Sequence, residues 1–135
     1  MGTLQKSSKS DSDKGERLWT VAKVGEFTEL SPVYVTARGT RIGVYLFKGR
    51  YFAYRNSCPH QGGPAMEGEF VGNSEVEVRE DGSRREYTST ERYNISCPWH
   101  GIEYDIETGV CRADRRMRLK SYKIFIEGDE VKVRA

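Results

Sequence analysis

Two short stretches of this chain combine residues that bind soft and borderline metals. Ser57-Cys58-Pro59-His60-Gln61-Gly62 sets a cysteine two residues before a histidine, and Ser96-Cys97-Pro98-Trp99-His100-Gly101 sets one three residues before. The chain has only two histidines and three cysteines, so both histidines and two of the cysteines are committed here. Thiolate sulfur and imidazole nitrogen bind zinc, iron or copper, whereas magnesium and calcium take oxygen. Ordinary buried residues have no reason to fall in two matched Cys-Pro turns, so a metal site is the first reading. A zinc finger takes a close cysteine pair from one element and a close histidine pair from another. Here each loop supplies one of each, with 36 residues between His60 and Cys97. That mixture suits two unlike metal positions where the loops meet, Cys58 and Cys97 holding one and His60 and His100 the other. A zinc-binding interaction module using the same four ligands is the competing reading.

The elements that must position these loops read as short strands. Leu18–Val21, Val33–Thr36, Arg41–Phe47 and Tyr51–Tyr54 carry β-branched and aromatic residues, and Lys48-Gly49-Arg50 between the last two predicts a hairpin turn. Val76–Arg79 and Arg85–Tyr87 flank Asp81-Gly82, and Tyr122–Ile126 and Val131–Val133 flank Gly128-Asp129. Tyr104–Ile106 reads as a short strand ending at Glu107-Thr108-Gly109. No long segment keeps a helical period, and no internal repeat is present, so the expected class is all-β.

Composition narrows the function classes. A length of 135 residues suits one domain, and a hydrophobic fraction of 36% gives a modest core that a bound metal would help to hold. Net charge is +2, too balanced to argue for nucleic acid or a membrane surface. No apolar run approaches the roughly 18–20 residues of a membrane helix. The N-terminal stretch lacks a secretory apolar core and a twin arginine, which predicts a cytoplasmic chain whose thiols stay free for metal. Asn94-Ile95-Ser96 matches a glycosylation sequon and reads as a chance match in that setting. Residues 1–15 are too polar to order themselves and read as a disordered tail.

Cys58-Pro59-His60-Gln61-Gly62-Gly63-Pro64 and Cys97-Pro98-Trp99-His100-Gly101-Ile102-Glu103-Tyr104-Asp105 resemble the two cluster-binding loops of Rieske 2Fe–2S proteins. Glu107-Thr108-Gly109 is similar to the stretch just after the second loop in Rieske ferredoxins. The resemblance runs over about residues 17–135. It implies a Rieske fold, stacked antiparallel sheets with a small cluster-binding subdomain, spanning 16–135 with cluster loops 57–64 and 96–105. It also implies a 2Fe–2S cluster held by Cys58, His60, Cys97 and His100, with Gln61, Gly62, Gly63, Pro64, Trp99, Gly101 and Tyr104 around it. Two neutral imidazoles in place of two thiolates make such a cluster less negative and raise its potential, to about −150 to +300 mV across Rieske centres.

Departures from family variants refine the expectation. Respiratory Rieske proteins carry an extra cysteine in each loop, joined as a disulfide; the corresponding positions here are Gly63 and Trp99. Those proteins also place a serine hydroxyl on a cluster sulfur where this chain has Ile102, leaving Tyr104 as the remaining side-chain donor to a cysteine sulfur. Fewer donors lower the potential, so a value near the lower end of the range is expected. The stretch 66–94 is long for the link between the loops, and reads as an inserted, solvated hairpin. Cys111 reads as a small core residue, and the basic run Arg112–Lys120 as a solvated face, with a steering role toward an acidic partner as its alternative. No nicotinamide or flavin fingerprint is visible, and both histidines are already used. The expected function is therefore electron carriage, not catalysis. The resemblance implies partners of two kinds: a flavoprotein reductase, and a terminal oxygenase or another redox enzyme. A small subunit or redox-sensing component of a larger enzyme is the alternative.

Overall fold

The computed structural model describes residues 16–59 and 62–135. The tail 1–15, His60 and Gln61 lie outside the described residues. Among the described residues nine strands form three three-stranded antiparallel sheets, and the chain divides into two compact units.

The first unit runs up to Asn56 and resumes over Lys120–Ala135. It contains β1 (Leu18–Lys23), β2 (Val33–Ala37), β3 (Thr40–Phe47), β4 (Arg50–Arg55), β8 (Ile124–Glu127) and β9 (Glu130–Arg134). One sheet has the order β2-β3-β4 and the other β1-β9-β8. Strand β3 is central, so its middle is buried on both faces, which explains its almost unbroken apolar sequence. Ile42 and Val44 join Phe27, Ala37, Ala53, Val131 and Val133 in one core fed by both sheets. Tyr45 stacks on Phe52 on the opposite face of β3, with ring centroids 5.6 Å apart.

The turns of this unit are set by backbone conformation. Lys48 and Gly49 both have positive φ, 53° and 75°, and Arg38 and Gly39 repeat the pattern at 55° and 82°. Two consecutive left-handed residues make the tight turn whose twist matches paired strands, and glycine at the second position removes half the steric cost. Strand β1 finds its partner at the far end of the chain. Leu18 pairs with Arg134 and Trp19 with Val133, while the Trp19 indole N–H donates to the Ala135 carbonyl at 3.1 Å.

The second unit is Ser57–Leu119. Its sheet contains β5 (Glu69–Val78), β6 (Arg84–Ser96) and β7 (Glu103–Asp105). The hairpin strands are much longer than the sequence pattern suggested, and they bend at a bulge. Gly72 pairs with Tyr93 and Ser74 with Thr88, so Asn73 stands opposite the four residues Ser89–Arg92. The Ser89 hydroxyl accepts the amides of Glu91 and Arg92, both at 3.0 Å, and closes the extra loop. A Cβ at Gly72 would collide with the Ser89 carbonyl oxygen, so this residue must be glycine for the bulge to close. Beyond the bulge, Glu75, Glu77, Arg85 and Tyr87 share one face and bond across it, leaving Val76 and Val78 exposed on the other. The alternation read as a strand is a strand, but its valines face water. Among the described residues no helix is long and apolar enough to cross a membrane.

Candidate metal centre

The two Cys-Pro loops have the same backbone construction. In the first, the Cys58 amide donates to the Gly63 carbonyl at 2.7 Å and the Gly62 amide to the Cys58 carbonyl at 2.6 Å. In the second, the Cys97 amide donates to Ile102 at 2.8 Å and the Gly101 amide to Cys97 at 2.8 Å. The fourth residue after each cysteine therefore closes the loop, and it is a glycine with positive φ, 78° at Gly62 and 69° at Gly101. A side chain there would be strained. The histidines occupy different steps of this shared frame, the second after Cys58 and the third after Cys97.

The loops bring sulfur together. Cys58 and Cys97 are both buried, 3% and 1% exposed, and their thiols interact directly. The Tyr104 hydroxyl lies 2.9 Å from Cys58 Sγ, the contact expected of it, and donates to that sulfur once the thiol is ionised. The backbone N–H groups of Trp99 and His100 point at Cys97 sulfur. Burial pushes the Cys97 thiol up, and those two amides pull the other way. Tyr104 is likewise pushed up, first by burial and then by the Cys58 sulfur, so its proton is retained for donation. Buried sulfur with donors already aimed at it is suited to a thiolate ligand pair for a cationic metal. His100 and Trp99 lie on the exposed side of the second loop, Trp99 at 57%.

The positions that correspond to the respiratory disulfide meet across the loops. A Cβ built on Gly63 would sit 2.7 Å from Cδ2 of Trp99 and 2.8 Å from Cγ, so the indole packs on bare glycine backbone. Pro64 begins the short turn Ala65–Glu67, whose Ala65 and Met66 are buried. Gly68 then passes so close to Ser96 that any Cβ would collide with its carbonyl oxygen. This contact ties the exit of the first loop to the entry of the second.

Several supporting residues carry no signal in the sequence. Asn94, 1% exposed, donates through its side-chain amide to Asn73 Oδ1 at 3.0 Å and to Glu103 Oε1 at 3.2 Å. It thereby connects the bulge of the hairpin to the strand after the second loop. The same burial and bonding agree with reading the sequon at Asn94 as a chance match. Cys111, by contrast, reads in the sequence as a small core residue and is buried; it pairs with Tyr104 in an isolated bridge, and the Arg112 amide donates to the Glu103 carbonyl at 2.9 Å. A polar residue that turns out to be buried could have been found only from its strand register, which single-sequence patterns leave undefined.

Comparison with known proteins adds a family. The model of the Rieske [2Fe-2S] domain matches residues 18–123. The ferredoxin component of the p-cumate 2,3-dioxygenase system of Pseudomonas putida is 27% identical over 94 residues, covering 69% of this chain and 64% of that relative. Among solved structures, the ferredoxin of carbazole 1,9a-dioxygenase from Nocardioides aromaticivorans IC177 superposes with a TM-score of 0.62 at 18% identity, covering 86% of this chain and 95% of that one. A Mycobacterium tuberculosis protein described as the small subunit of an NADH-dependent nitrite reductase gives a TM-score of 0.65 at 16% identity, covering 89% and 96%. At these identities the structural likenesses establish the fold.

Proposed function

Because this chain belongs to the Rieske [2Fe-2S] domain family, whose cofactor is a 2Fe–2S cluster, we propose that it is a cytoplasmic one-electron carrier rather than an enzyme. The observation that carries this reading is the pair of matched loops with Cys58 and Cys97 sulfurs buried together and His100 on the exposed side. Cys58 and Cys97 would hold one iron, and His60 and His100 the other. Bound there, the cluster supplies a reversible one-electron couple, less negative than a four-thiolate centre.

The chain's own residues do the rest. Tyr104 donates to Cys58 Sγ and the Trp99 and His100 amides donate to Cys97 Sγ, favouring negative charge at the sulfurs. The buried cysteines keep water from the sulfur side, whereas exposed His100 offers the electron its exit. Ile102 has no hydroxyl to add, so the potential lies near the lower end of the Rieske range. As the resemblance to Rieske ferredoxins implies, a flavoprotein reductase loads the electron, and a terminal oxygenase or another redox enzyme takes it, the relative in Pseudomonas putida being the ferredoxin component of a dioxygenase system.

The test is spectroscopic. Purified protein should be reddish-brown, and reduction should give an electron paramagnetic resonance signal of Rieske type. Colourless protein containing zinc would overturn the reading, and a midpoint potential well above zero would overturn the low-potential part of it. The likeness to the nitrite reductase subunit raises a second reading, a small subunit of a larger enzyme. A stable stoichiometric complex on affinity capture would favour that one, and rapid transfer to a separately purified oxygenase would exclude it.

A further inference from the structure

The segment between buried Cys111 and buried Leu119 is a closed, basic loop. The Cys111 amide donates to the Met117 carbonyl at 2.9 Å, the Met117 amide to Asp114 at 2.9 Å, and the Leu119 amide to Gly109 at 2.9 Å. Val110 and Arg118 pair as an isolated bridge. Arg112, Arg115, Arg116 and Arg118 are all exposed on this frame. Its one acid, Asp114, is occupied by Arg116, whose guanidinium grips both carboxylate oxygens at 3.1 and 3.2 Å. Arg118 reaches the Thr108 carbonyl at 3.3 Å. Arg112 and Arg115 have no side-chain partner among the described residues.

Two further facts give this positive charge a meaning. First, it stands alone: the remainder of Ser57–Leu119 holds eleven acidic side chains against only Arg79, Arg84, Arg85 and Arg92. Second, it stands beside the candidate centre. Cys111, at the root of the loop, pairs with Tyr104, whose hydroxyl touches Cys58 Sγ, and the Arg112 amide holds the Glu103 carbonyl. Arginines held together by backbone bonds, two of them without a counterion of their own, are arranged for charges that arrive from outside. A phosphate polymer is a poor candidate for them, because it would also have to lie against the acidic remainder of the unit and the chain is only +2 overall.

We propose that the loop Arg112–Arg118 is the docking surface for a carboxylate-rich face of the protein partner that exchanges electrons with this chain, with Arg112 and Arg115 as its unpaired anchors. The proposal rests on the electron-carrier reading. Arg112→Gln/Arg115→Gln removes the two unpaired charges and leaves the Asp114 and Thr108 contacts in place. Intact, cluster-loaded protein is titrated at low salt with oligoglutamate and with an oligothymidylate of equal charge. The expected result is oligoglutamate binding that weakens as salt is added, falls roughly tenfold in the double variant, and returns in Arg112→Lys/Arg115→Lys. Unchanged binding in the double variant, or tighter binding of the oligothymidylate through the same arginines, would overturn it.

A second arm places the loop at the electron exit. Reduced protein gives one electron to ferricyanide, yielding ferrocyanide, or one to hexaamminecobalt(III), yielding cobalt(II). The double variant should slow the anionic oxidant several-fold and spare the cationic one; equal effects on both would refute the placement. Failure of the carrier reading looks different. It would appear as absence of the Rieske spectrum, with arginine-dependent oligoglutamate binding intact.

Discussion

In the unit built from β1–β4, β8 and β9, the buried side chains are aliphatic and aromatic, and seven of them form one core. In Ser57–Leu119, the buried side chains include all three cysteines together with Asn73, Ser89 and Asn94. The first unit thus holds itself by removing apolar surface from water. The second spends much of its interior on sulfur and on polar groups that must be satisfied to be tolerated. For a region of that kind, a bound metal is part of the folding free energy and not merely a passenger. The difference therefore assigns the two units different sources of stability.

The largest expected effect tests that assignment at the sulfurs. Cys58→Ser should abolish the Rieske spectrum and, with it, much of the amide protection over 57–119. Protection in β3 and β9 should persist. Hydrogen exchange read by mass spectrometry makes the comparison directly; equal loss in both units would break it. Ile42→Ala is the converse. It empties a fully buried position in the apolar core, and should cost about 2–5 kcal/mol in urea unfolding followed in the first unit. The shape of the electron paramagnetic resonance signal should survive at native conditions.

The same contrast explains how much of the molecule was legible in the chain itself. Chemistry was legible where a residue type is scarce: Cys-Pro-His and Cys-Pro-Trp-His announce themselves, and the family match covers both. Turns were legible where a positive φ favours glycine, as at Lys48-Gly49. Most strands of the first unit were legible because a buried strand is continuously apolar, as β3 is. The hairpin was only half legible. Its strands carry charges on both faces, with exposed Val76 and Val78 set opposite Glu86 and Arg84, and the bulge opposite Asn73 interrupts the period. The pairing of β1 with β9 links the two ends of the described fold, and no local pattern encodes a partner so distant. Asn94 matches a sugar acceptor in the sequence, and proves to be a buried tie between hairpin and loop.

A smaller effect sharpens how the second unit joins its loops. The indole of Trp99 rests on Gly63, at positions where respiratory relatives place a disulfide. Gly63→Ala should therefore push the ring away at a cost of about 1–3 kcal/mol, toward the low end because the indole is more than half exposed and can yield. Cluster retention under mild denaturant reports the loss. Trp99→Ala alone also weakens retention, but the double variant should be no worse than either single one, since the clash and the contact disappear together. Additive losses would show that the two residues act separately. Thiol reductants should leave retention unchanged in all of these proteins.

The smallest effect concerns the polar network that replaces a core beside the hairpin bulge. Glu75 is bonded by Arg92 at 2.6 Å and by the Tyr87 hydroxyl at 2.9 Å. Arg92 first, and Tyr87 after it, hold this carboxyl below its ordinary 4.5. A carboxyl lowered on folding stabilises above its ordinary value, and that contribution is lost as pH falls below it. Nothing of the kind operates in the apolar core of the first unit. Opening of the bulge, followed as exchange of the Arg92 amide, should therefore increase as pH falls from about 5 to 3 once corrected for intrinsic exchange. Glu75→Gln should flatten that dependence and raise opening at neutral pH, where the charge is otherwise present. An unchanged pH profile in Glu75→Gln would move the acid sensitivity to Asp81, whose carboxyl is likewise lowered, by Ser83 in the hairpin turn. The bulge would then be held by Ser89 and Asn73 alone, without help from charge.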